Sequence, residues 1–234
     1  MLTIDKVSVY GFEESIRGMR NPMNSWDKSD SGYSNIPRID AMICETELHV
    51  DSADHVYILG YNDATLMNKL VKAGPSHRKF MRMIVVYMDI YAPLYWWKEF
   101  DTYKVGSVSN SCSTMHKITD KVFEREDFST DMLTDFDCLD NIIVSLNKNR
   151  DLYLKTMDKK YWWNIIQILP SSYNQKRTVM LSYEVLHKMY NERKSHKLYE
   201  WISFCKKICE LPNSWLITGG RFENEFVFNA RNNL

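Results

Sequence analysis

The chain has 234 residues, and its thirty Lys and Arg balance thirty Asp and Glu, giving a formal net charge of zero. No whole-molecule field is available to gather nucleic acid or an anionic membrane surface, so any anion site has to be local. An apolar fraction of 44% with 14 Tyr, 10 Phe and 7 Trp excludes a disordered chain and predicts an ordered, aromatic-rich core.

No run reaches the length of a membrane span, and the opening "MLTIDKVSVYGF" lacks the basic and apolar regions of a signal peptide, so a cytoplasmic protein is expected. Cys44, Cys112, Cys138, Cys205 and Cys209 form an odd set without C-x-x-C spacing, which predicts reduced thiols. Cys205 and Cys209 lie one helical turn apart and read either as half a metal site or as small packing residues. The scattered histidines add no metal cluster.

In chain order, Thr3 to Tyr10 alternates apolar and polar residues as a strand does. Ala41 to Val50 does so again and, with the polar turn at Asp51 to Asp54, predicts a hairpin into "HVYILG". The intervening "RNPMNSWDKSDSGYSNIPR" predicts a long loop. Asp63 is the expected cap of a helix running to Ala73, with Gly74 as its stop. "MRMIVVYMDIY" predicts a strand, and Pro93 suits the first turn of a helix through "LYWWKEFDTYK". Tyr95, Trp96 and Trp97 in that helix read either as core or as a stacking platform.

The chain then changes character. Gly106, Ser107, Ser109, Ser111, Ser113 and Thr114 form either a polar surface loop or a backbone-and-hydroxyl cradle for phosphate. Residues 119–140 hold eight acids and two bases, a solvated surface leading into the amphipathic "FDCLDNIIVSLNKNRDLYLK". Helices are expected over Thr178 to Tyr190, with Val179, Tyr183, Leu186 and Tyr190 on one face, and over His196 to Glu210, with Leu198, Ile202, Cys205 and Cys209 on one face. Lys176, Arg177, Lys188, Arg193, Lys194 and Lys197 against Glu184 and Glu192 make Gln175 to Lys197 basic, which suits either a solvated helix face or replacement ligands for a dianion. No repeat or linker is visible, so one domain over residues 1–218 and a tail over 219–234 are expected.

Four segments in order, "LMNKLVKAGPSHRKF", "APLYWWKEFDTYKVGS", "LPSSYNQKRTV" and "RKSHKLYEW", resemble the flavin-dependent thymidylate synthase family. Ser76 and His77 stand where that family has glycine and histidine. Ala92 and Pro93 precede Thr102-Tyr103-Lys104-Val105-Gly106-Ser107 at the spacing that in the family separates Ala-Pro from R-H-R-x-x-S. Leu169-Pro170, Arg193, His196 and Glu200 continue the series, and "IRGMR" at Ile16 to Arg20 is similar to a basic segment near the family's N-terminus. Departures are concentrated at ligand positions: Thr102 and Lys104 replace two arginines, Asn110, Cys112 and Thr114 replace a glutamate, a serine and an arginine, and Ile166 replaces a further arginine.

The resemblance implies an α+β single-domain fold with an antiparallel sheet and long helices, and a homotetramer. It also implies FAD and a pyrimidine nucleotide, dUMP, as ligands, with NADPH and methylenetetrahydrofolate as co-substrates. Carried over residue by residue, it assigns His77, Glu99, Thr102, Lys104 and Ser107 to the cofactor, and Ser107, Asn110, Ser111, Cys112 and Arg193 to the nucleotide. It assigns no catalytic residue; such chemistry belongs largely to the cofactor. Cys112 as a nucleophile at C6 of a pyrimidine needs a nearby base or positive field, which the sequence does not display, and a tolerated small residue is the alternative. With two signature arginines gone, a non-catalytic protein that binds or sequesters a nucleotide on the same fold is the second reading, and a purely structural oligomer the third.

Overall fold

A computed structural model describes residues 2–33, 57–220 and 222. The hairpin expected over 41–58 and most of the 219–234 tail lie largely outside them. Helices and antiparallel sheet are mixed, as expected. The first strand, β1 (Thr3–Tyr10), has the predicted bounds. It joins β4 (Val85–Pro93), β6 (Asn174–Ser182) and β5 (Ser107–Ser111) in a four-stranded sheet of order β1-β4-β6-β5. A separate pair, β2 (Gly32–Tyr33) and β3 (Tyr57–Ile58), is antiparallel.

The chain divides into two compact units. The first comprises Met1–Asp5, Asp89–Lys104 and Ser109–Val179; the second comprises Lys6–Met88, Val105–Val108 and Met180–Leu234. In the second unit, α1 (Phe12–Arg20) buries Phe12, Ile16 and Met19, spaced as one helical face requires. The following α2 (Tyr61–Lys72) begins two residues before the expected Asp63 start. Asp63 is not its cap: the side chain is fully buried, and the helix's N-terminal amides are instead met by Asp30, whose carboxylate accepts from Asn62 N at 2.9 Å and Asp63 N at 3.1 Å. A short 3₁₀ turn, Arg78–Arg82, occupies the start of the run read as a strand.

The expected helix over Thr178 to Tyr190 is corrected. Residues through Ser182 are strand β6, and α7 (Tyr183–Arg193) starts after it, with the Ser182 hydroxyl accepting Val185 N–H at 3.4 Å. Val179 and Leu181 are fully buried by strand alternation, so they mimic part of a helical face in sequence alone. The next helix, α8 (Tyr199–Ile208), is shorter than expected and buries Trp201, Phe204, Cys205 and Ile208, a face rotated from the Ile202 and Cys209 stripe. Cys209 is exposed and donates its thiol to the Cys205 carbonyl at 3.1 Å; burial, then the neighbouring Cys209, pushes the Cys205 thiol up to about 12. A last turn, α9 (Trp215–Thr218), follows.

In the first unit, α3 (Leu94–Phe100) ends four residues before the expected Lys104. Its Trp96 and Trp97 are 0% and 1% exposed, which selects the core reading. A short α4 (Thr114–Lys117) is capped by Ser113 Oγ, which accepts His116 N–H at 3.1 Å. The acidic stretch is mainly exposed, but Phe123, Asp127 and Phe128 turn inward. With Ile118, Leu139, Leu146 and Ile165 the two phenylalanines build a small core under α5 (Phe136–Thr156) and α6 (Lys159–Ile168). Asp135 and Asp158 cap these helices, each accepting a backbone N–H at 3.0 Å. Met157, at φ 55, makes the left-handed turn between them.

Candidate functional site

The stretch from Glu99 to Cys112 leaves α3, turns, and becomes strand β5. The helix closes on Thr102, whose backbone N–H and hydroxyl both donate to the Glu99 carbonyl, at 3.1 and 2.7 Å. Buried Tyr103 anchors the turn while Thr102, Lys104 and Val105 face solvent, Val105 at 90% exposure. Gly106 has φ +78, and a Cβ there would lie 3.2 Å from Val185 Cγ2 and 3.6 Å from Ser182 Oγ. The change from aromatics to glycine therefore has a local cause: the backbone turns left-handed against the start of α7, a conformation that strains any L side chain, and a Cβ there would also crowd Val185.

Beyond Gly106, strand alternation puts Ser107, Ser109 and Ser111 on one face of β5 and Val108 and Asn110 on the other. Ser107 is half-buried and the next four residues are exposed on an edge strand. Cys112 follows the strand. Its N–H donates to the Lys176 carbonyl at 2.9 Å and its carbonyl accepts from Gln175 Nε2 at 2.8 Å. The candidate donors of the first unit are thus one ammonium, hydroxyls, an amide and a thiol, a set suited to a phosphate ester.

The basic segment is largely engaged within the fold. Arg177 donates Nη1 to Asp101 at 2.8 Å and Nε to the Gln175 side chain at 3.0 Å, and its guanidinium lies 4.2 Å over Trp97. Lys176 pairs with Asp89 at 2.9 Å, whose hydrogen bond holds the ammonium pKa above its usual value. In the second unit, Arg193 lies at the end of α7, stacked 4.9 Å over Trp201 with Nη1 3.0 Å from His196 Nε2. His77 sits exposed at the head of the 3₁₀ turn. These two residues come from elements other than the 99–112 stretch.

Two polar groupings of the second unit were invisible to sequence reasoning. Arg78 Nε donates to both Glu184 oxygens, at 2.8 and 3.1 Å, and Nη1 reaches His187 Nε2 at 3.0 Å. His187 Nδ1 lies 2.9 Å from the Ile217 carbonyl, which can only accept, so Nε2 is the lone-pair nitrogen that meets Arg78 and Asn191. Burial, followed by the Arg78 charge, holds this imidazole below its usual pKa. The other grouping is Asp63, which accepts Arg20 Nε at 2.6 Å and the Ser29 and Ser31 hydroxyls at 2.7 Å. Burial pushes the Asp63 carboxyl up, but hydrogen bonds from Ser31, Ser29 and Arg20 together outweigh it and leave it below its usual range. The partners lie tens of residues apart, and no local pattern signals them.

No protein-family model matches the sequence, and no curated protein matches it. Solved structures do. The flavin-dependent thymidylate synthase ThyX of Helicobacter pylori, complexed with FAD and dUMP, superposes with a TM-score of 0.64 at 14% identity, covering 91% of this chain and 96% of that one. A second structure of the Helicobacter pylori enzyme with FAD and dUMP gives 0.66 at 13% identity, covering 92% and 96%. The chain therefore has the fold of these thymidylate synthases over nearly its whole length.

Proposed function

We propose that the chain is a divergent flavin-dependent thymidylate synthase-like protein, a cytoplasmic homotetramer that binds dUMP together with FAD. Its reaction would be reductive one-carbon transfer from methylenetetrahydrofolate to the uracil ring, with NADPH as reductant. The observation that carries this reading is the near-complete coverage of structures that hold both FAD and dUMP. The donor chemistry agrees: Lys104 is a solvent-facing ammonium, and β5 presents hydroxyls and an amide without a competing carboxylate among its own residues. In the first unit the proposed cofactor residues are Glu99, as a hydrogen-bond acceptor, with Thr102 and Lys104, and the proposed nucleotide residues are Asn110, Ser111 and Cys112. In the second unit His77 and Ser107 are proposed for the cofactor, and Ser107 and Arg193 for the nucleotide. When bound, the reduced flavin supplies hydride; the chain's own residues bind and orient.

The deciding measurement is a visible absorption spectrum of the purified protein before and after FAD, followed by titration with dUMP. Flavin bands that dUMP perturbs are expected, and a protein that stays colourless in excess FAD overturns the reading. A second reading, nucleotide binding without catalysis, is favoured by the engagement of Arg177 with Asp101 and of Arg193 with Trp201 and His196. It predicts that dUMP raises the melting temperature without flavin uptake. Tritium release from C5-labelled dUMP in the presence of the folate donor eliminates it.

A further inference from the structure

A cleft of about 220 Å³ opens in the second unit beside α1, lined by Glu13, Arg17, Arg20, Trp26, Tyr33 and Tyr57 among others. Glu13, Arg17 and Arg20 are spaced by four and three residues, so one face of the helix supplies both charges at the rim and the cationic floor. That floor is closed: Arg20 is 4% exposed and uses its guanidinium on Asp63, the Ser25 carbonyl and the Lys28 carbonyl. Arg17 is different. It is exposed, and among the described residues it has no carboxylate partner.

The aromatic walls are both open and fixed. Trp26 is 51% exposed, yet its indole N–H is tied to Asn21 Oδ1 at 2.8 Å. Tyr33 is 47% exposed, with its ring edge-on to Tyr57 at 5.1 Å and its hydroxyl donating to Glu13 at 3.2 Å. Two large aromatic rings open to water, one tied through its N–H and the other edge-on to Tyr57, offer faces on which a planar ligand can stack. The charges then define the ligand's edges. A carboxylate such as Glu13 accepts ring N–H or amino donors, and a guanidinium takes an anionic substituent. The volume admits one heterocycle and leaves its substituent at the rim, where Arg17 stands.

We infer that this cleft is a ligand site for a planar heterocycle that offers N–H donors on one edge and carries an anionic group. It is built entirely from the second unit and uses none of the residues proposed above for FAD or dUMP, so its fate is independent of that proposal. Guanosine monophosphate is the probe, with guanosine and dUMP as controls, titrated by calorimetry into the wild-type protein and the Arg17→Gln, Glu13→Gln and Trp26→Leu variants. Saturable binding of guanosine monophosphate is expected, about tenfold or more weaker in Arg17→Gln while guanosine binding is unchanged. Glu13→Gln and Trp26→Leu are expected to weaken both ligands. Because Glu13, Arg17 and Trp26 are exposed, the variants should melt with the wild type, and a melting curve run beside each titration checks this. Absence of binding to the wild type overturns the inference. So does binding that all three variants leave unchanged, or that excess dUMP displaces.

Discussion

Replacing Asp63 with asparagine tests the account of the second unit directly. One carboxylate oxygen takes Arg20 Nε at 2.6 Å, while the other takes two hydroxyls at 2.7 Å and the backbone N–H groups of Asp30 and Ser31 at 3.1 Å. The substituted amide keeps one acceptor of these two and sets an amino group, or an orphaned neutral oxygen, against a guanidinium that is 4% exposed. Leaving one member of a buried pair uncompensated costs about 3–5 kcal/mol. For a domain of this size, roughly 2–4 °C of melting temperature per kcal/mol predicts a fall of about 6–20 °C. The assay is thermal and urea unfolding followed by circular dichroism. The pH dependence supplies a second readout. Because the folded carboxyl pKa is depressed, its stabilisation is fully present above the unfolded value of about 3.9 and is lost as pH falls through the folded value. Asp63→Asn should lose that acid-limb contribution. A variant within about 1 kcal/mol of wild type, with the acid limb unchanged, would refute the argument.

Gly106→Ala should cost about 1–2 kcal/mol, because alanine is strained at φ +78 and its methyl crowds Val185; denaturant midpoints check this. Lys104→Ala should weaken FAD binding by about tenfold or more at low salt while leaving the melting temperature within about 1 °C, since the side chain is exposed. His187→Gln should flatten the pH dependence of stability on the acid side. The folded imidazole pKa is lowered by burial and Arg78, so its stabilisation is complete above the unfolded value of about 6.5 and declines as pH falls from there towards the folded value. Thermal melts between pH 5 and 8 read the difference.

What the sequence displays is what short periods encode. The alternation from Thr3 to Tyr10 marks a strand because its neighbours in sequence already reveal the two faces. Pro93 and the aromatic run place α3, and the glycine and serines mark where it has ended. The stretch from Met180 to Val185 defeats the same method, since apolar residues at strand spacing run directly into apolar residues at helix spacing. Ser182 was the available clue, a hydroxyl three residues before the amide that it caps. The candidate site was legible as a segment and illegible as a set of partners. Nothing near Arg177 in sequence announces Asp101, and nothing near Arg78 announces Glu184, because such pairs depend on chain reversals that composition does not encode. Buried Trp96 and Trp97 show the converse: two readings that the sequence leaves open are separated by exposure.

The start of α2 has a consequence of its own. Its first amides are met by Asp30, a residue thirty-two positions before Asn62, and Gly60 is pressed so closely on Asp30 that a side chain there would overlap it. Helix nucleation is thus conditional on a remote loop arriving, and the loop is held by the same helix through Asp63. Neither piece is well satisfied alone, so they should open and close together as a cooperative unit, with the amides of Asn62 and Asp63 exchanging hydrogen in step with those of Asp30 and Ser31.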